Sequence, residues 1–197
     1  MRTPQNQGGA ILVTSSEIGE GKTTTAAALA RSFADDGFRV LLVDADLRRP
    51  RLSRVFDLRP RQYLESVLDG TAALDDVVVH DTKSGLSWVC SNGSSKNPVR
   101  ALSSDQFKNF LDHCTQSYDF VILDSAPVLH VVDSVLLASL CQHVVFIVEA
   151  GRLSSELVGA AIQRFAKEDR GKIFTLLTRV RAGDLDARDY FRGYASA

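Results

Sequence analysis

Short apolar runs bounded by turn residues recur along the chain and predict β-strands. They are rich in Val, Ile and Leu, and they lie at Ala10–Thr14, Arg39–Val43, Leu86–Cys90, Phe120–Leu123, Val144–Val148 and Ile173–Leu177. Most of the runs do not alternate strictly with polar residues, which is typical of strands buried on both faces of a parallel sheet.

The stretches between these runs carry apolar residues at helical spacing. They are Thr23–Asp36, Arg61–Asp69, Ser104–Ser117, Asp133–Leu140 and Ser154–Lys167. Strand and helix therefore alternate, which predicts an α/β fold: a three-layer αβα arrangement with a mostly parallel central sheet. In such folds ligands bind beyond the carboxyl ends of the strands. We expect a single domain over residues 1–197, in which residues 183–197 form a mobile tail.

Composition narrows the classes of partner. The 197 residues include 23 basic and 24 acidic side chains, a net charge of -1, so no global field attracts the protein to nucleic acid or to bare lipid. The three cysteines lack C-x-x-C spacing, and we expect them to be reduced, buried thiols without disulfides. The apolar runs are too short to cross a bilayer, but a membrane-bound partner remains compatible with this composition.

The segment ILVTSSEIGEGKTTT, residues 11–25, predicts a phosphate-binding loop of the P-loop NTPase type. An apolar strand runs into a glycine-containing turn and then into an Ala-rich helix, so backbone N–H groups and the helix N-terminus can face a phosphate. Lys22 can bridge the terminal phosphates, and the Thr23 hydroxyl can hold Mg²⁺. The candidate nucleotide-binding residues are Ser16, Gly19, Glu20, Gly21, Lys22, Thr23 and Thr24. Ser16 replaces the first glycine of the strict motif, and a plain glycine turn is the alternative.

Carboxylates end two of the predicted strands. VLLVDADLRRP, residues 40–50, places Asp44 and Asp46 on the same side of an extended segment. If this strand neighbours the first one, one carboxylate can act on the Mg²⁺ shell while the other orients or deprotonates an attacking hydroxyl. YDFVILDSAPVL, residues 118–129, ends its strand in Asp124, the position of a Walker B carboxylate that meets Mg²⁺. Capping of the strand ends is the alternative role in both cases.

The arginine run and the histidines indicate function less specifically than these motifs. Six arginines lie between residues 48 and 61; they can grip phosphate, pair with acidic groups of a partner, or form a solvated helix face. The four histidines show no mutual metal-ligand spacing, so His113 and His143 are expected to pack or to lie at the surface.

The three motifs in this order resemble the cytoplasmic kinase domain of the bacterial tyrosine kinases, within the deviant Walker branch of the P-loop ATPases. The resemblance covers almost the whole chain and includes VLDG at 67–70, Asn97–Pro98 before LSS, and VEAGRLSSELV at 148–158. Relatives that select division sites or partition plasmids usually carry a lysine where this chain has Glu17.

The resemblance implies an ATP- and Mg²⁺-dependent protein-tyrosine autokinase that regulates exopolysaccharide and capsule biosynthesis and export. It implies catalytic roles for Lys22, Asp44, Asp46 and Asp124, and a metal site formed by Thr23, Asp44 and Asp124. Tyr190 and Tyr194 are the candidate phosphate acceptors. A transmembrane chain-length regulator is the expected activator, and sugar-activating enzymes are expected substrates. The domain is expected at the cytoplasmic face of the membrane, bound through a partner or through a further membrane segment, with homo-oligomers possible and no nucleic acid bound.

Three features of the chain depart from the family pattern. The tail holds Tyr190 and Tyr194 alone, where relatives carry a dense tyrosine cluster. A ring-forming E-x-x-R-x-x-R helix usually precedes the first strand, which here begins close to residue 9. Thr178 stands where relatives typically have an asparagine that contacts adenine. Two other functions therefore stay open: an ATPase whose bound nucleotide sets its association state, and a non-catalytic module that binds nucleotide and docks through its arginine run.

Overall fold

The computed structural model describes residues 9–81 and 85–181 of the chain. Within them the strands form one seven-stranded sheet in the order β3-β4-β2-β5-β1-β6-β7. All neighbouring strands are parallel except β3 and β4, which are antiparallel. The strands are β1 Gly9–Ser15, β2 Val40–Asp44, β3 Val78–His80, β4 Ser87–Val89, β5 Phe120–Asp124, β6 His143–Glu149 and β7 Ile173–Thr178.

Helices connect the strands and cover both faces of the sheet. They are α1 Lys22–Asp35, α2 Leu52–Val55, α3 Leu64–Leu68, α4 Leu74–Val77, α5 Pro98–Leu102, α6 Asp105–Ser117, α7 Asp133–Ala138, α8 Ser155–Ile162 and α9 Lys167–Arg170. Alternate residues of each central strand enter two separate cores, as the pleat requires. Leu12 and Leu123 pack with α6, α7 and α8 in one core, whereas Val13 and Ile122 pack with the alanines of α1 in the other. The predicted three-layer αβα fold is confirmed.

Each of the six predicted strands is present, with small differences in its bounds. β3 has no counterpart among the predicted strands, because three residues directly after a helix are too few to show a period. The sequence also predicts one helix over Ser154–Lys167, but α8 ends at Ile162 and α9 follows separately. The Arg170 guanidinium donates to the carbonyls of Gln163 and Phe165 at the end of α8, which satisfies groups that a longer helix would have paired.

The position of β2 differs from the one considered in the sequence analysis. β2 does not neighbour β1, because β5 lies between them and pairs with both. This order brings Asp44 directly opposite Asp124, since the two are register partners at the carboxyl ends of β2 and β5. The acidic motif therefore approaches the phosphate loop across the strand that carries Asp124.

The three cysteines, Cys90, Cys114 and Cys141, are free thiols buried in the two cores, as predicted. Burial raises the pKa of each thiol to about 12. In the part of the chain that the structure describes, no helix combines the length and the apolar character needed to cross a membrane.

Candidate active site

A cavity of about 430 Å³ opens at the carboxyl ends of β1 and β5, where the three motifs meet. Ligands are expected at this edge of a parallel sheet. Of the residues proposed from the sequence, seven line the cavity: Gly19, Gly21, Lys22, Thr23, Thr24, Asp46 and Asp124. Ser16, Glu20 and Asp44 are buried behind its wall.

The phosphate loop curls between β1 and α1. Gly19 and Gly21 adopt φ angles of 89° and 99°, a region that side-chain-bearing residues rarely enter, which explains why glycine occupies both positions. Lys22 begins α1, and its Nζ donates to Ser15 Oγ at 3.1 Å and to the Glu17 carbonyl at 3.3 Å. Burial lowers the pKa of Lys22, opposed by the nearby charges of Asp124, Asp46 and Glu20. The amine is thus held inside the loop, beside the space where a phosphate would lie.

Asp124 lies at the end of β5, at the bottom of the cavity. The Thr23 side chain hydrogen-bonds to its carboxyl group, while Oδ1 is buried and has no hydrogen-bond partner. Burial raises the pKa of Asp124 to about 7, although the Thr23 hydrogen bond and the Lys22 charge act in the opposite direction. The buried carboxyl group has an unpartnered oxygen and lies next to a threonine hydroxyl. A metal ion bound there would supply the missing partner.

The two carboxylates of the D-x-D motif differ in burial and in hydrogen-bond partners. β2 ends at Asp44, so Asp46 lies beyond the strand and just before the turn that begins at Leu47. Asp44 is 1% exposed, and its Oδ2 accepts hydrogen bonds from the backbone amides of Arg51 and Leu52 at 2.8 and 2.9 Å. Burial and the charge of Asp124 raise its pKa to about 8.

Asp46, by contrast, lines the cavity. Its Oδ1 accepts hydrogen bonds from the amides of Arg48 and Arg49 at 3.2 and 3.0 Å. These two amides fix the orientation of the carboxylate toward the space above the phosphate loop. Of the two D-x-D carboxylates, Asp46 is therefore the one positioned to meet a bound substrate.

The donor set fits Mg²⁺. In the described ranges no three His, Cys, Asp or Glu side chains converge on a metal site made by protein alone. Mg²⁺ normally retains waters and takes one or two carboxylates together with substrate phosphates, so such a cluster is not required. The Thr23 hydroxyl and the unpartnered Oδ1 of Asp124 supply hard oxygen donors at the cavity wall.

The first half of the arginine run contributes to the cavity, whereas Arg54, Arg59 and Arg61 are exposed to solvent. Arg48, Arg49 and Arg51 line the cavity. The Arg48 guanidinium also donates two hydrogen bonds, at 2.8 and 3.1 Å, to the carboxylate of Asp133, which is 0% exposed. This pair fixes the D-x-D segment to the start of α7. No motif in the sequence indicated it, because the two residues are 85 positions apart.

Other residues that the sequence analysis did not select also lie at the site. His130 and Arg179 line the cavity, and His130 Nε2 is 2.6 Å from Glu17 Oε2. The hydroxyl of Thr178 donates to the Glu20 carbonyl at 3.0 Å, and Thr178 is not among the residues that line the cavity. Tyr190 and Tyr194, the proposed acceptors, lie outside the described residues.

Known proteins that resemble this chain include several tyrosine-protein kinases. The family described as AAA domain matches residues 9–169. The chain is 35% identical to tyrosine-protein kinase YwqD of Bacillus subtilis over 79% of its own length and 66% of the relative's. It is 34% identical to tyrosine-protein kinase CpsD of Streptococcus pneumoniae, covering 83% of the chain and 72% of the relative. The solved kinase domain of VpsO superimposes with a TM-score of 0.81 at 31% identity, covering 90% of this chain and 88% of that one.

Two more distant comparisons bear on length and fold. The succinoglycan biosynthesis transport protein ExoP of Rhizobium meliloti is 32% identical over 75% of this chain, which spans only 19% of ExoP. A cobyrinic acid a,c-diamide synthase solved with an ATP analog and magnesium is 21% identical with a TM-score of 0.76, and shares the fold alone. Nucleotide and magnesium binding thus occurs on this fold.

Proposed function

Because the chain belongs to the AAA domain family and to the bacterial tyrosine-protein kinases, we propose that it transfers the γ-phosphate of ATP to tyrosine hydroxyls of proteins. One structural observation carries the proposal. A single cavity is lined by the phosphate loop with Lys22 and Thr23, by the strand-end carboxylate Asp124, and by Asp46, the carboxylate that two amides orient into the same space.

Phosphoryl transfer asks a protein mainly for positioning and for neutralisation of charge. The amides of the phosphate loop and the N-terminus of α1 face the phosphates, and Lys22 is held where it can contact the terminal ones. Thr23 and Asp124 hold Mg²⁺, which when bound neutralises charge on the phosphate oxygens. Asp124 is ionised when it fulfils this role, although burial favours its neutral form in the free protein.

Asp46 acts on the acceptor. Its carboxylate is oriented from behind by the amides of Arg48 and Arg49, so its other oxygen is free to accept the proton of a tyrosine hydroxyl. The phenolic oxygen then attacks the γ-phosphorus while the bond to the bridging oxygen of ADP breaks. Asp44 does not line the cavity; its Oδ2 supports the turn by accepting the amides of Arg51 and Leu52. Its Oδ1, like that of Asp124, is buried without a hydrogen-bond partner, so we propose that Asp44 supports the metal site from behind Asp124.

The wider biological role follows from the relatives. CpsD and YwqD are named tyrosine-protein kinases, and ExoP is named a succinoglycan biosynthesis transport protein. We propose that this chain regulates exopolysaccharide or capsule biosynthesis, at the cytoplasmic side of the membrane and under a transmembrane chain-length regulator. Tyr190, Tyr194 and tyrosines of sugar-activating enzymes are the proposed acceptors.

The test compares phosphotyrosine with ADP. The full chain is incubated with ATP and Mg²⁺, with and without the cytoplasmic segment of a chain-length regulator, and both products are quantified. We expect phosphotyrosine in the wild type and none in Lys22→Met, because the substituted side chain cannot contact the phosphates. ADP release without phosphotyrosine in every condition would instead indicate an ATPase switch, and nucleotide binding with no turnover would indicate a regulatory module.

A further inference from the structure

We propose that Arg152 is a positioning residue that holds the phosphate loop in its nucleotide-binding shape from outside the cavity. The inference rests on the proposed nucleotide site and concerns how that site is kept formed. Arg152 lies beyond the end of β6, and it is not among the residues that line the cavity. Arg152 therefore does not contact a phosphate bound in the cavity, and we infer that it acts on the site by holding the loop.

The guanidinium of Arg152 joins two parts of the protein. Its Nη2 donates to the carbonyl of Ile18, in the phosphate loop, at 2.6 Å. Its Nη1 donates to Glu149 Oε2 at 2.8 Å, at the carboxyl end of β6. The loop is thus fixed to the sheet by a charge-assisted hydrogen bond, the stronger kind in proteins.

The same guanidinium packs against the loop glycine. A Cβ atom added at Gly19 would lie 3.3 Å from Arg152 Nη1, tighter than ordinary van der Waals contact. The missing side chain at Gly19 therefore serves two purposes, since it permits the φ angle of 89° and leaves room for the arginine. This close approach, together with the hydrogen bond to the adjacent Ile18, shows that the guanidinium lies directly on the curl of the loop.

Glu149 connects the clamp to the cavity. Its Oε1 accepts a hydrogen bond at 2.7 Å from Arg179 Nη1, and Arg179 lines the cavity. Arg179 adopts a φ angle of 55°, a strained conformation for a residue other than glycine, and the ion pair with Glu149 helps to hold it. One carboxylate thus restrains both the outer arginine on the loop and an arginine inside the site.

Two further bonds from the same sheet edge reach the loop through Glu20. The backbone amide of Glu149 donates to Glu20 Oε1 at 3.2 Å, and the Thr178 hydroxyl donates to the Glu20 carbonyl at 3.0 Å. These contacts hold the neighbouring residue of the loop, so removing Arg152 loosens the curl without unfolding it. A loosened loop must be ordered again when phosphate binds, which raises the apparent Kd.

The experiment measures binding of ADP and of inorganic pyrophosphate by calorimetry, for the full-length wild type, Arg152→Ala and Arg170→Ala. We expect Arg152→Ala to raise the Kd of both ligands by the same factor, about tenfold, because the charge-assisted hydrogen bond to the loop and its anchor on Glu149 are both lost. Guanidinium chloride at millimolar concentration restores part of the affinity, because the partly exposed side chain leaves a site that free guanidinium can enter. Arg170 also donates to backbone carbonyls but lies away from the loop, so Arg170→Ala leaves both Kd values unchanged.

The outcomes separate the competing explanations. Equal affinities in wild type and Arg152→Ala would overturn the positioning role. Weaker binding of ADP with unchanged binding of pyrophosphate would show that Arg152 contacts the nucleoside directly, which also overturns it. If the wild type binds neither ligand, the nucleotide site itself is wrong, a failure distinct from that of the clamp. Weaker binding that guanidinium does not restore would also overturn the assignment, because the missing guanidinium would not be what the site lacks.

Discussion

Replacing Asp124 by Asn is expected to remove much of the pH dependence of the protein's stability. Burial raises the pKa of Asp124 to about 7 in the fold, against about 3.9 for an unfolded aspartate. The folded state therefore binds a proton that the unfolded state releases between these values. By linkage, the free energy of unfolding is highest at low pH and falls as the pH rises toward 7.

The magnitude follows from the shift. One pKa unit corresponds to about 1.4 kcal/mol, and the folded carboxyl stays largely protonated for the two units between pH 5 and pH 7. Between pH 5 and pH 8 the wild type should thus lose about 3 kcal/mol relative to Asp124→Asn. In a domain of this size the difference corresponds to roughly 6–12 °C in Tm. Removing the Asp124 charge also lowers the pKa of Asp44, which further reduces the pH dependence of stability in Asp124→Asn.

Urea unfolding followed by circular dichroism at pH 5 and pH 8, with a chelator present and without nucleotide, measures the effect. Asp112→Asn, at an exposed position of α6, is the matched control and should differ from the wild type by the same amount at both pH values. Stability curves for wild type and Asp124→Asn that run parallel from pH 5 to pH 8 would refute the reasoning.

Three further predictions concern other parts of the molecule. Arg48→Ala should destabilise the protein by about 3 kcal/mol in urea unfolding, because it leaves the buried Asp133 carboxylate unpaired, and Arg48→Ala combined with Asp133→Asn should recover much of the loss. A double variant as unstable as Arg48→Ala alone would contradict the pairing of Arg48 with Asp133. Thr178→Val should weaken ADP binding severalfold through loss of one neutral hydrogen bond to Glu20, and unchanged binding would argue that the loop does not depend on it. The three buried thiols should react with a disulfide reagent only after unfolding, and fast labelling of the native protein would contradict their burial.

Much of the fold could be predicted because buried parallel strands consist of continuous runs of Val, Ile and Leu. β5, for example, is FVILD in the sequence and in the sheet. The phosphate loop could also be predicted from the sequence. Its backbone geometry requires Gly19 and Gly21, and its charge requires Lys22, at a fixed spacing. β3 was missed because it is short and its pairing with β4 depends on residues brought together only in the fold.

The candidate site was predictable as a set of residues but not as an arrangement. The two-residue spacing of a strand predicts that Asp44 and Asp46 share a side, but it does not predict which of them lines the cavity. Hydrogen bonds from the turn after the strand decide that. The pairs Arg48–Asp133 and Arg179–Glu149 had no signature, because an ion pair depends on tertiary distance and single charges are common at the surface. Long-range pairing of this kind requires the structure.

The central claim, that Asp46 receives the tyrosine proton in a kinase site, is tested most directly by mass spectrometry of phosphotyrosine. The wild type, Asp46→Asn and Asp57→Asn are incubated with ATP and Mg²⁺ and the cytoplasmic segment of a chain-length regulator. Asp57 is exposed and its left-handed backbone accommodates asparagine, which makes it a matched control. We predict phosphate on Tyr190 or Tyr194 in the wild type and in Asp57→Asn, and a loss of at least about a hundredfold in Asp46→Asn. Equal phosphorylation in all three proteins would contradict the role of Asp46, and no phosphotyrosine in any of them would contradict the kinase.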